Sequence, residues 1–239
     1  MKRRDFLLGG VVLGEFVIAA ETFNPNPIKQ FPKKLESKTK KNSSLIDPNI
    51  YQQNKQLLEE TIEISKKNKD FAIIIDKFDY SLNLYSNGNL IKIYPIELGF
   101  NPIDDKIKQE DCRTPEGKFY LAAKIPNSSF YRAFLISYPN IESAERGLKS
   151  GLITQKEYNA IIHAINEKLI PPQNTQLGNY IEIHGSGSGK KPSEGGNNWT
   201  LGCIALSNTN IKELYDSIPL KTPITIVRYG TKNIEDYLN

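Results

Sequence analysis

Three short runs in quick succession, FAIIIDK (residues 71–77), YSLNLYS (80–86) and LIKIYPIEL (90–98), constrain this chain more than any other feature. Each is rich in branched and aromatic residues and has period-two character, which buries alternate positions of a pleated strand and fits no helix face. Between the second and third runs stands SNGN at 86–89. An Asn-Gly pair supplies the two positive φ angles of a tight hairpin turn. Further strands are expected at 117–123, 133–138, 180–184, 203–206 and 223–228, so the fold class is mainly β with α insertions. The helical segments are few. Residues 51–69 place Leu57, Leu58, Ile62 and Ile64 at helical spacing, and an insertion at about 141–168 reads as helical. Asn210, with Glu213 three residues on, resembles a capping box for a short helix ending near residue 217.

Charge separates the chain into two parts. It carries 31 Lys and Arg against 27 Asp and Glu, a net charge of +4. Residues 1–41 hold nine of the basic residues and four of the acids, so the remainder is close to neutral. A nucleic-acid reader needs a basic stripe on its folded surface, and none is visible. The first residues, KRRDFL at 2–7, resemble a twin-arginine export signal, followed by an apolar stretch to Ala20. Gly9, Gly10, Gly14 and Glu15 make that stretch too short and too weakly apolar to span a membrane. Residues 1–20 are thus expected to direct export to the periplasm or cell wall. They are either cleaved near residues 17–19 or retained as a membrane anchor. Residues 21–50, rich in Lys, Pro, Asn and Ser, read as a tether, and 51–239 as one domain of ordinary size.

The chemistry concentrates at residues 180–208, where IEIHGSG leads through a glycine-rich loop to NWTLGCIALSN. The chain has only two histidines and two cysteines, and His184 and Cys203 both lie here, each at the border of an apolar run and a glycine. A lone cysteine is often just a small buried hydrophobe, and a histidine ending a strand often satisfies a carbonyl. Gly185 and Gly202 favour function, since glycine lets backbone turn sharply and a substrate approach closely. A free thiol titrates near ~8.5 and attacks as thiolate, so it needs a neighbouring base, and His184 is the candidate in the same segment. The other pair is read as non-catalytic. His163 sits in a charged helical segment as a packing or surface residue. Cys112 is expected as a free thiol or redox-sensitive bystander, because a bridge to Cys203 would silence the nucleophile. No CxxC or HExxH spacing exists, so no metal and no cofactor is expected.

Fifteen residues separate His184 from Thr200, and Thr200, Leu201, Gly202 and Cys203 follow in order. This resembles the His-Gly, gap, Ser/Thr-x-Gly-Cys signature of the YkuD-type L,D-transpeptidases. Upstream, Thr114, Pro115, Gly117 and Phe119 resemble the TPxGxF strand of the same family, and WTLGCIALSN resembles its murein L,D-transpeptidase branch. The resemblance implies a β-sandwich catalytic domain over about 71–229, with Cys203 as nucleophile and His184 as general base and proton donor. It also implies that a backbone carbonyl, here that of Gly185, orients the imidazole. Backbone N–H groups around Leu201, Gly202 and Cys203 would form an oxyanion hole, worth about 3 kcal/mol per donor. The chain departs from the commonest pattern at Ala205, usually Arg, and at Leu201, usually polar. These departures leave the Cys and His in place and take the usual Arg out of substrate anchoring.

The implied partner is the peptidoglycan stem peptide. Cys203 would attack a stem tetrapeptide between its third residue, a diamino acid, and terminal D-Ala, forming a thioester that an amine resolves as a cross-link. Water as acceptor would make the protein an L,D-carboxypeptidase, and a silent site would make it a peptidoglycan-binding module. Thr200, Arg132 and Tyr138 are candidate substrate contacts. Tyr131, Arg132, Tyr138 and Asn140 form a polar, aromatic run that either reaches the acceptor cleft or serves as surface and core of a strand.

Overall fold

The computed structural model describes residues 48–188 and 197–228. The expected export signal and nearly all of the expected tether lie outside the described residues. The first element is helix α1 (Pro48–Asn68), beginning three residues before the expected start, with proline in the first turn where its missing N–H costs nothing. Its buried stripe is Leu58, Thr61, Ile62 and Ser65, whereas Ile64 is 42% exposed. The expected apolar face is therefore rotated, because two hydroxyl residues find partners beneath the helix. Thr61 meets the Thr225 hydroxyl, and Ser65 donates to Asp70 O and accepts from Gly88 N.

Strands β1 (Phe71–Asp76), β2 (Ser81–Ser86) and β3 (Asn89–Pro95) follow as an antiparallel meander. Asn87 and Gly88 both have positive φ, 52° and 78°, as the SNGN turn requires. Ile73 and Ile75 of β1 enter the main core, while Ala72 and Ile74 pack under α1 with Tyr85 and Val227. Burial on both faces explains why β1 reads as an unbroken apolar run instead of an alternation. Strand β4 (Gly117–Ser128) runs longer than expected and pairs twice. Its first residues join β8 (Pro223–Val227), and from Leu121 onward it joins β5 (Tyr131–Ile136). Helices α2 (Ile141–Lys149) and α3 (Gln155–Asn166) make up the insertion, capped by Asn140 and Thr154. Then come β6 (Glu182–His184), β7 (Ile204–Ala205) and helix α4 (Asn208–Ser217).

The strand order is β3-β2-β1-β8-β4-β5-β6-β7. Glu97, just past β3, bridges to Ala205 of β7, so the two ends of the order come back together. Residues from both halves, among them Ile73, Leu84, Phe134, Ile183, Ile204 and Ile226, fill one core. The α4 cap differs from the expected one. Ser207 accepts from Asn210 N, and Glu213 is drawn away to Lys92 and Tyr94 on β3.

Buried cations fix the long loop from Gly99 to Glu116. Lys77, its side chain fully buried, donates to Asp104 O at 2.8 Å, Thr114 O at 2.9 Å and Glu116 Oε1 at 2.7 Å. Burial pushes the Lys77 ammonium below its ordinary pKa, and the Glu116 carboxylate opposes that shift. Removing one member of such a group strands the others in a low dielectric. Lys77→Ala should therefore lower the unfolding free energy by about 3 kcal/mol, read as a lower urea midpoint at unchanged slope; an unaltered midpoint would show that the loop is held elsewhere.

Candidate active site

Strands β6 and β7 run parallel, with Ile183 opposite Ile204 and His184 opposite Ala205. Ile183 and Ile204 both face the core. By the period of two, Glu182, His184 and Cys203 project from the other face. Cys203 lies one step before Ile204 and so falls beside Glu182, whose backbone N–H donates to Cys203 Sγ at 3.4 Å. The thiol itself donates to Tyr180 O at 3.4 Å.

His184 is buried, with 1% exposure. Its Nδ1 lies 2.7 Å from Gly185 O. A carbonyl oxygen only accepts, so Nδ1 carries the proton in that contact and Nε2 is left as the basic nitrogen of the neutral ring. Two aromatic residues bracket the imidazole. Phe130, at the tip of the β4–β5 hairpin, stacks on it with centroids 4.5 Å apart, and Trp199 meets it edge-on at 5.6 Å. Trp199 Nε1 donates to Glu97, whose backbone is paired with Ala205. Both were missed in the sequence. Trp199, the only Trp of the chain and adjacent to the TLGC motif, offered a signal, but Phe130 had none, since only the fold brings that hairpin here.

The glycines serve close packing. A Cβ on Gly185 would meet Phe130 O and Asn208 Oδ1, each at 2.6 Å, and Asn208 also binds Gly187 N and O. Gly202 has φ 133°, and a Cβ there would lie 2.6 Å from Arg113 O. The turn before Cys203 therefore seats directly on the backbone following Cys112.

The candidate contact residues have other tasks. Thr200 is buried, and its hydroxyl donates to Cys203 O at 2.7 Å and accepts from Gly202 N at 3.1 Å. It closes the turn instead of facing a substrate, and it occupies the Gly202 N–H expected to serve as an oxyanion donor. Leu201 is 70% exposed at the tip of that turn. Tyr138 is fully buried, with its hydroxyl on Leu177 O, and belongs to the core. Arg132 is ion-paired with Asp216 beside the Tyr215 ring, while its backbone carbonyl receives Gly185 N. Cys112 is a free thiol like Cys203, and His163 is exposed on α3.

Residues 70–226 match the YkuD family, described as the L,D-transpeptidase catalytic domain. The chain belongs to this family. The YkuD region takes in all the described strands but for the last residue of β8, together with the whole bracketed site, and leaves α1 outside. No curated protein matches the chain. Among solved structures it is similar to Bd1075 of Bdellovibrio bacteriovorus, at 23% identity, covering 68% of this chain and 50% of that one with a TM-score of 0.43. It is also similar to the helical cell shape determining protein Pgp2 of Campylobacter jejuni, at 22% identity, 70% and 55% coverage and a TM-score of 0.44. A third is an L,D-transpeptidase of Xylanimonas cellulosilytica, at 16% identity, 66% and 61% coverage and a TM-score of 0.40. The chain thus spans about half to three-fifths of the length of these structures.

Burial pushes the Cys203 thiol up to about 11; the Glu182 N–H and the Lys106 ammonium oppose the shift, and the Glu182 carboxylate adds to it. A raised thiol pKa means a neutral sulfur at pH 8, with about a thousandth or less present as thiolate. In a Cys112→Ser background, iodoacetamide alkylation of Cys203 should climb about tenfold per pH unit between pH 8 and 10. A plateau near pH 8 would instead reveal a preformed thiolate.

Proposed function

We propose that this YkuD domain is a peptidoglycan L,D-transpeptidase acting through a Cys203 thioester on the stem tetrapeptide. The observation that carries the reading is the β6–β7 pairing, which puts His184 and Cys203 on one face with the imidazole held at Nδ1 by Gly185 O. In the first step His184 Nε2 takes the Cys203 proton as the sulfur attacks the carbonyl carbon of the third stem residue. The C–S bond forms, and the C–N bond to D-Ala breaks as His184 returns the proton to the leaving amine. An amine from a second stem then attacks the thioester, its proton passing to His184 and from there to the departing sulfur.

The resting thiol hydrogen points at Tyr180 O, so deprotonation begins with its release from that carbonyl. With Gly202 N engaged by Thr200, the backbone N–H groups of Leu201 and Cys203 are the donors we assign to the oxyanion. The buried side chain of Ala205 leaves no cation at the family's usual Arg position. We place the domain outside the cytoplasmic membrane on the strength of the KRRDFL segment.

Intact mass after brief exposure to disaccharide tetrapeptide should show an adduct of substrate minus D-Ala on the native protein and none on Cys203→Ala. His184→Gln should slow adduct formation by at least 100-fold while substrate binding persists. Cross-linked dimers would identify an amine as acceptor and shortened monomers would identify water. An adduct on Cys203→Ala would sink the mechanism.

A further inference from the structure

Glu182 is the anomaly of the site. Among the described residues, every other acid that is buried or half-buried is engaged by a partner, as Asp111 is by Lys106, Glu116 by Lys77, Glu213 by Lys92 and Glu97 by Trp199. The half-buried Glu182 carboxylate has none. Burial raises its pKa, and no cation among the described residues offsets the shift. It stands on the same face as His184 and beside Cys203, whose sulfur its own N–H touches. The two charged groups that bear on the sulfur are Glu182 from β6 and Lys106 from the loop, and Lys106 is committed to Asp111 Oδ1 at 2.7 Å.

A carboxylate in this place works against the chemistry, because a negative charge disfavours the thiolate and any anion that develops in the same pocket. Partial desolvation without a partner is a further cost. Both costs vanish when a cation docks against it. We propose that Glu182 is the specificity-determining residue of this site and receives a primary ammonium of the stem peptide beside the Cys203 thiol. The proposal rests on the acyl-transfer reading for the identity of the peptide. It does not rest on that reading for the binding itself.

Two ammonium groups qualify: the side-chain amine of the donor's diamino acid, and the amine of the acceptor stem. In the donor case the docked cation cancels the Glu182 charge before the sulfur ionises. In the acceptor case Glu182 gathers the ammonium at the thioester and takes one proton from it, so that the neutral amine attacks while the second proton passes to His184 and on to the departing sulfur. A carboxylate whose pKa burial has raised is suited to that transfer.

The first experiment needs no turnover. Tetrapeptide with a free or an N-acetylated side-chain amine is titrated by calorimetry against Cys203→Ala and Cys203→Ala/Glu182→Gln. A donor-side ammonium appears as binding at least tenfold weaker for the free peptide when Glu182 is replaced, with no change for the acetylated one. The second experiment follows partition of the thioester in the Glu182→Gln single variant. An acceptor-side ammonium appears as a cross-link to hydrolysis ratio at least tenfold lower, with acylation no slower than native. A loss in neither experiment overturns the proposal. A urea midpoint for Glu182→Gln matching the native one serves as the folding control, and with it in hand the thiol should alkylate faster than native at pH 8 in the Cys112→Ser background. If the native protein forms no adduct while Glu182-dependent binding of the free peptide persists, the acyl-transfer reading fails and the ammonium site stands.

Discussion

The site depends on the placement of a strand only two residues long. β7 is hydrogen-bonded on one side to β6 and on the other to Glu97, with Ala205 both donating to and accepting from Glu97 at 2.9 Å. Just before it, Trp199 and Thr200 both donate to Leu98 O, and Gly202 rests on Arg113 O. Cys203 is therefore positioned by main chain on several sides. Backbone contacts of this kind hold an atom more firmly than a rotamer does, because few soft torsions remain to move it. They also pass the burden outward: Leu98 leads into the Gly99–Glu116 loop and Arg113 lies within it, and that loop has no regular element of its own.

That loop is ordered from inside by charge. Lys77 reaches it from the end of β1, and Lys106 ties its own neighbours through Asp111 and Lys108 O. Burial would raise the Asp111 carboxyl, but the Lys106 ammonium and the N–H groups of Lys108, Ile107 and Arg113 more than offset this and hold it below the usual carboxylate range. Thr114, first residue of the TPxGxF match, joins the two systems: its carbonyl accepts from Lys77 and its hydroxyl from Gly99 N. At Thr114 the motif thus serves the loop's internal bonding.

Much of this was legible because it is local. The NG turn, the strand periodicity and the His-Gly and Gly-Cys pairs all follow from backbone rules that act within a few residues. What escaped involves partners far apart in sequence. Ser65 is buried because Gly88 needs an acceptor, and Glu213 leaves its helix terminus because Lys92 is near. Thr200 and Tyr138 looked available, yet one closes a turn and the other fills the core. Lys77, Lys106 and Glu182 are ordinary surface types, and only the fold reveals that each is desolvated.

Electrostatics then restrict how the thiol can work. Burial and the Glu182 carboxylate both favour neutral sulfur, and Lys106 offsets them only in part while engaged with Asp111. A resting thiolate–imidazolium pair is disfavoured under these conditions, so in the proposed mechanism proton removal accompanies attack. That demand falls on the direction of His184 Nε2 more than on its charge. The carbonyl of Gly185 fixes the ring at Nδ1, Phe130 and Trp199 confine its plane, and the Gly185 backbone that supplies the carbonyl is held by its N–H on Arg132 O, with no room for a Cβ beside Phe130 O and Asn208. In the proposed reaction, the arrangement that leaves the sulfur unreactive alone is the one that holds His184 ready as its base.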